Sequence, residues 1–203
     1  LDNAIENSKI VIDEYPDSSF IDKAHLLIGI SFFYKKQYEL SIKNLEKAIL
    51  STDSKISIKA NLFIAFSYLR LKNNDKVVFH INQIKEPELD NENLYTYYLI
   101  KAEILENKGS FQQSYDLYQS ASVITKKESR KNFALRKLIK LAQENEDTES
   151  KIKFIEFLIE NLDDLNKIKD LKIDWIDSKI QLQLYDDVIQ DIDSIIEDPN
   201  YSS

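Results

Sequence analysis

The sequence contains no cysteine and no methionine, and only two glycines and three prolines among 203 residues. Without cysteine there is no disulfide framework, no thiolate metal site and no thiol nucleophile. Two glycines cannot build a phosphate-cradling loop. An all-β chain needs turn residues roughly every 8–12 positions, which this composition does not supply. No apolar run approaches the ~18 residues of a membrane span. Positive charge is also scarce: 27 Lys and Arg stand against 35 Asp and Glu, a net charge of −8. Phosphate contact needs a basic face, so nucleic acid is not expected as a partner. What remains, 43% hydrophobic and 31% charged residues, is the balance of a folded helical chain with short polar connections. The missing methionine and the first residue, Leu1, lead to the expectation that the native start lies upstream, with any signal peptide or lipidated N-terminus. The abundance of Lys, Asn and Ile suits an AT-rich bacterial genome.

Three segments align on a small residue in mid-helix: Gly29, Ala65 and Ala102, spaced by 36 and 37 residues. A bulky residue follows three positions later in each (Phe32, Tyr68, Leu105), then a polar break: "KKQ", "KNN", "NKG". After each break, apolar residues recur at helical spacing. They are Ile42, Leu45 and Ala48, then Val77, Ile81 and Ile84, then Tyr118 and Ala121. A nearly absent side chain lets a second helix approach closely and fill the gap with its own bulk. The stretch "IGISFFYKKQY", residues 28–38, is strand-like in composition, but this register makes it the end of a helix and the turn after it. Beyond Ser129 the pattern loosens into two less regular helix pairs. The last has a strongly acidic second helix carrying Asp186, Asp187, Asp191, Asp193 and Glu197, read as the polar outer face of a terminal cap. Pro199 closes it.

These units resemble tetratricopeptide repeats, which pair two helices over about 34 residues. The first unit matches best. Gly29, Phe32, Tyr38 and Ala48 stand at the family's glycine, first aromatic, turn aromatic and late alanine. It departs from the pattern at His25, where the family has tryptophan, and at Ser41, where it has alanine. Gly109 restores the turn glycine in the third unit. "YPDSSF", residues 15–20, resembles the repeats of bacterial envelope proteins of the outer-membrane barrel-assembly and periplasmic division-coordinator kinds. The resemblance implies an all-α, right-handed α-solenoid of about five antiparallel pairs, degenerate toward the C-terminus, forming one domain over 1–203. Residues 1–16 would be the second helix of a preceding repeat. The repeats would cover 19–50, 55–87 and 92–124, with degenerate or capping pairs at 128–162 and 164–198. The implied function is a non-enzymatic scaffold holding another protein, in a bacterial envelope, with cytoplasmic placement as the alternative.

Chemistry has little to work with. His25 and His80 lie in different units among apolar neighbours, a packing pattern that lacks the converging ligands of a metal site. No triad, nucleophile elbow or cofactor motif is present. Adjacent carboxylates such as Asp163–Asp164 do not face each other on a helix. "NYS" at 200–202 is a chance sequon. No catalytic, cofactor or metal site is therefore expected.

Three features can bind. The resemblance places Leu26, Ile30, Phe33 and Tyr34, with Leu62, Phe66, Leu69 and Arg70, along the concave groove. An apolar stripe there requires cover, either from a partner's helix or extended segment or from within the chain. The positions matching the family's clamp for C-terminal carboxylates are largely apolar, so that specificity is not implied. In "LYTYYLI", residues 94–100, Tyr98 takes a packing position, leaving Tyr95 or Tyr97 as exposed contacts for a protein or a ring such as a sugar. The basic segment 126–140, with Arg130, Lys131 and Lys137, either meets an acidic partner or pairs with acidic neighbours in the chain. Self-association through the apolar stripe is the remaining alternative.

Overall fold

The computed structural model describes residues 1–197; Pro199 and the sequon at 200–202 lie outside them. Among the described residues there are eleven α-helices and no strand. They are α1 (Asp2–Glu14), α2 (Ile21–Tyr34), α3 (Tyr38–Ala48), α4 (Ser54–Arg70), α5 (Asn74–Asn82), α6 (Asn91–Asn107), α7 (Phe111–Ile124), α8 (Glu128–Glu144), α9 (Thr148–Ile159), α10 (Leu165–Gln181) and α11 (Tyr185–Glu197). A 3₁₀ turn, Glu86–Glu88, precedes α6.

The helix pairs share one turn geometry. Five residues adopt the left-handed conformation: Lys36 (φ 59°), Lys72 (59°), Gly109 (73°), Glu146 (57°) and Gln183 (60°). They follow each other at intervals of 36, 37, 37 and 37 residues. The hydrogen bonds around each are the same. The N–H one residue after the turn donates to the carbonyl five back: Gln37 to Phe32, Asn73 to Tyr68, Ser110 to Leu105, Asp147 to Ala142 and Leu184 to Lys179. The left-handed residue donates to the carbonyl three back. Each turn is a Schellman closure that satisfies carbonyls otherwise orphaned at a helix end. Asn73 and Asp147 then cap the next helix, accepting from the N–H groups of Lys76 and Ser150.

Four of the five turns place a residue with a Cβ where L-amino acids are disfavoured by about 1–2 kcal/mol. Lys72→Gly and Glu146→Gly should each stabilise the protein by ~0.5–1 kcal/mol, the added entropy of the unfolded glycine offsetting the rest. Gly109→Ala meets open space, so its cost of ~1 kcal/mol is backbone strain alone. Urea midpoints at unchanged m report all three.

The chain forms two compact units, Leu1–Ile104 and Leu105 onward. In the first, α1 packs on α2, α2 on α3, and α4 on both α2 and α3 as well as on α5. One continuous core includes Leu26, Ile42, Leu45, Leu62, Ile64, Val77 and Ile81, joined by Tyr97, Ile100 and Ile104 of α6. Gly29 faces Leu45 and the Ser41 carbonyl of α3 at a distance that leaves no room for a side chain. In the second unit α8 packs on α7 and α9, and α10 on α9 and α11. Its buried residues include Tyr118, Ala121, Leu135, Leu138, Leu141, Ile155 and Leu158. The positions matching Gly29, seven before each turn, are Ile139 and Ile176 here, both half-buried.

The expected polar cap is corrected. The acidic residues of α11 lie to one side, and the helix exposes Tyr185 (57%), Ile189 (59%), Ile192 (39%) and Ile196 (67%). The hydrophobic residues at four- and three-residue intervals form a stripe wider than α10 alone can cover.

Candidate functional site

An aromatic cluster where α2 meets α4 collects most of the groove residues that remain accessible. Phe33 is its centre. Its ring lies 5.5 Å from Tyr34, 5.8 Å from Tyr38, 5.3 Å from Phe63 and 5.0 Å from Phe66, mostly edge-on or tilted. Edge-to-face and tilted contacts pair the positive ring edge with a negative face. The guanidinium of Arg70 sits 4.9 Å above the Phe66 ring and pairs with Glu103 of α6 at 2.5 Å. This fixes a planar cation over an aromatic face beside the cluster.

The eight groove residues separate into two sets. Leu26, Leu62 and Leu69 are buried in the core and are corrected from groove to packing residues. α4 lies across both α2 and α3, which gives its helix two buried faces rather than one. Ile30, Phe33 and Phe66 are half-buried against the core, while Tyr34 (58% exposed) and Arg70 reach solvent. Phe33, Tyr34, Phe66 and Arg70 thus form one accessible patch. Phe63, buried at 9% and 6.1 Å from Tyr34, supports it from beneath. Sequence reasoning missed Phe63, although its i, i+3 spacing to Phe66 was the available signal.

The tyrosine expectation is also corrected. Tyr95 and Tyr97 are buried, and the Lys101 ammonium closes over the Tyr97 ring at 4.9 Å. Tyr98 is half-buried instead, its hydroxyl donating to Glu86 at 2.8 Å. That hydrogen bond, aided by burial, pushes its pKa above the usual phenol range. The helix begins after the 3₁₀ turn, so the tyrosine facing outward is the one beside Glu86.

The basic segment is largely engaged within its own unit. Lys137 and Lys140 reach Glu106 at 3.3 and 3.0 Å, and Lys140 also reaches Glu144 at 3.3 Å. The Tyr118 hydroxyl donates to Glu106 at 2.7 Å. Burial pushes Glu106 upward, but the Tyr118 hydroxyl and the two ammonium groups outweigh it and hold its pKa below the ordinary range. Lys131 donates to Asn161 at 3.0 Å, and Arg130 is half-buried with interactions of its own.

His25 is buried at 8% and His80 half-buried; burial first, then a neighbouring lysine, lowers both pKa values. His80 Nδ1 stands 3.0 Å from Asn61 Oδ1. Among the described residues no three His, Cys, Asp or Glu side chains are placed to hold a metal ion. No helix among them is long and apolar enough to cross a membrane. The second unit has a cavity of about 440 Å³ beside Phe111, Tyr115, Asn145 and Asp147. No known family model matches this chain, and no curated protein matches it in sequence.

Proposed function

We propose that this protein is a non-enzymatic scaffold of tetratricopeptide-like helix pairs that holds a segment of another protein on the aromatic patch of its first unit. The turn recurring every 36 or 37 residues supports the repeat reading. The observation carrying the binding role is Tyr34, 58% exposed beside half-buried Phe33 and Phe66, with Arg70 fixed over the Phe66 ring. Aromatic and arginine side chains clustered at the edge of a core are the composition of an interface centre. Holding them on two packed helices limits the ordering cost of binding. On the resemblance of "YPDSSF" we add a bacterial envelope setting.

Tyr34→Ala with Phe66→Asp should reduce capture of the native partner by at least roughly tenfold. Far-ultraviolet circular dichroism should be unchanged, because neither residue is fully buried. Affinity purification from the native organism, with wild type and double variant compared by mass spectrometry, reads the result. Equal recovery of every captured protein would refute the patch.

A further inference from the structure

Both histidines of the chain, His25 and His80, lie in the first unit, and the second unit has none. Each is held by one amide oxygen and has no acceptor for a second proton. His25 sits in α2 against α3 and is 8% exposed. Its Nδ1 is buried and has no hydrogen-bond partner. Asn44 of α3 is the side chain that hydrogen-bonds the ring, so that contact falls to Nε2. The Asn44 amide nitrogen is spent on the Leu40 carbonyl at 2.9 Å, which leaves its oxygen to accept from the Nε2–H. A second proton must then go to Nδ1, where a buried N–H finds no acceptor. Burial first, then Lys47 of α3, opposes a charged ring; Asp22, a turn back on α2, favours it but does not prevail. The other helices packed on α2, α1 and α4, place no charge that acts on it.

His80 repeats the pattern on α5. Its Nδ1 stands 3.0 Å from Asn61 Oδ1 of α4, and the Asn61 amide nitrogen is spent on the Ser57 carbonyl at 3.0 Å. Nδ1 therefore carries the proton of the neutral ring. The ring stacks on Tyr68 at 5.8 Å, and the Lys76 ammonium lies 4.8 Å over that same Tyr68 ring. A second proton, on Nε2, adds positive charge beside Lys76 in a half-buried site. Lys76 is the charge that acts on His80; α4, packed on α5, contributes none.

We propose that His25 and His80 make the first unit a proton-sensitive element, which loosens in mildly acidic solution while the second unit stays closed. The folded unit accepts the neutral rings, so its stability is intact above the unfolded pKa of about 6.5 and falls as pH drops below it. No other displaced group enters this window. The carboxyls of Asp2, Glu106 and Asp164 are displaced downward, and Tyr98 and Lys140 upward. Phe33 and Tyr34 share α2 with His25, and Phe66 and Arg70 share α4 with Asn61 and Tyr68. Loosening therefore reaches the aromatic patch. Acid release of a partner rests on the patch reading; the loosening itself does not.

Hydrogen exchange of the 203-residue chain, read by mass spectrometry near pH 7.5 and 5.5 and corrected for intrinsic rates, tests the proposal without a partner. Opening of α2 to α5 should rise several-fold at the lower pH, up to roughly tenfold for each histidine. Opening of α8 to α10 should stay within about twofold. His25→Gln with His80→Gln removes both titrations and should abolish the rise. Proton NMR of the wild type needs no variant: its two imidazole signals should titrate below about 6.5. The proposal would be overturned by a rise of less than about twofold in α2 to α5, or by an equal rise in α8 to α10. A rise that survives in the double variant, or a His25 ring that titrates at or above about 6.5, would overturn it as well.

Discussion

Replacing Gly29 by valine is expected to destabilise the protein by about 2–3 kcal/mol. A Cβ built at Gly29 would stand 2.5 Å from Leu45 Cγ, 2.7 Å from its Cδ2 and 3.2 Å from the Ser41 carbonyl oxygen. Leu45 is fully buried and cannot swing aside into solvent. The carbonyl belongs to the α3 backbone and moves only if the helix moves. Valine adds two further methyl groups at the tightest approach of α2 and α3. Gly29→Ala should cost less, because replacing a mid-helix glycine returns about 1 kcal/mol of helix propensity. Leu45→Ala alone should lose ~2–5 kcal/mol through its cavity. Combined with Gly29→Ala it should lose less than the two single costs together, since the new methyl enters the space that the leucine leaves. Urea unfolding of the four variants closes the cycle. Strict additivity would mean that the helices do not meet at Gly29.

Glu106 should govern much of the acid sensitivity of the second unit. Its folded pKa lies below the ordinary value, so its contribution is present at neutral pH, above the unfolded pKa of about 4.3. It is lost as pH falls through the folded pKa. Glu106→Gln keeps the shape and one acceptor for the Tyr118 hydroxyl, but leaves Lys137 and Lys140 without their shared carboxylate. The loss at pH 7 should be about 1–2 kcal/mol, in the range of hydrogen bonds to charged groups. The gap between variant and wild type should narrow at pH 3, below the unfolded pKa, because the unfolded carboxyl is then protonated and the advantage of the lowered folded pKa shrinks. Urea titrations at the two pH values measure the difference. A gap that persists undiminished at pH 3 would show that Glu106 acts through packing rather than through charge.

Helix pairing was legible in the sequence because it depends on periodicity. Gly29, Ala65 and Ala102 marked three pairs, and the polar breaks after them contain the left-handed residues Lys36, Lys72 and Gly109. The last two pairs were less distinct because Ile139 and Ile176 replace the small residue. The groove was only partly legible. A helix wheel separates apolar from polar positions, but it does not tell one buried face from two. Leu26, Leu62 and Leu69 were drawn into the core by a neighbouring helix that the wheel does not contain. Tyr95 and Tyr97 went the same way. For α11, acidic residues suggested a polar exterior, yet four exposed apolar residues share the helix with them. Charge count along a helix does not say which face it occupies.

The five turns are built on lysine, lysine, glycine, glutamate and glutamine, yet they share one torsion angle to within 16° and the same pair of backbone hydrogen bonds. The reversal of direction between paired helices is therefore written in the main chain and is nearly indifferent to the side chain that happens to occupy it. At these positions mutation can alter charge and size with little structural consequence.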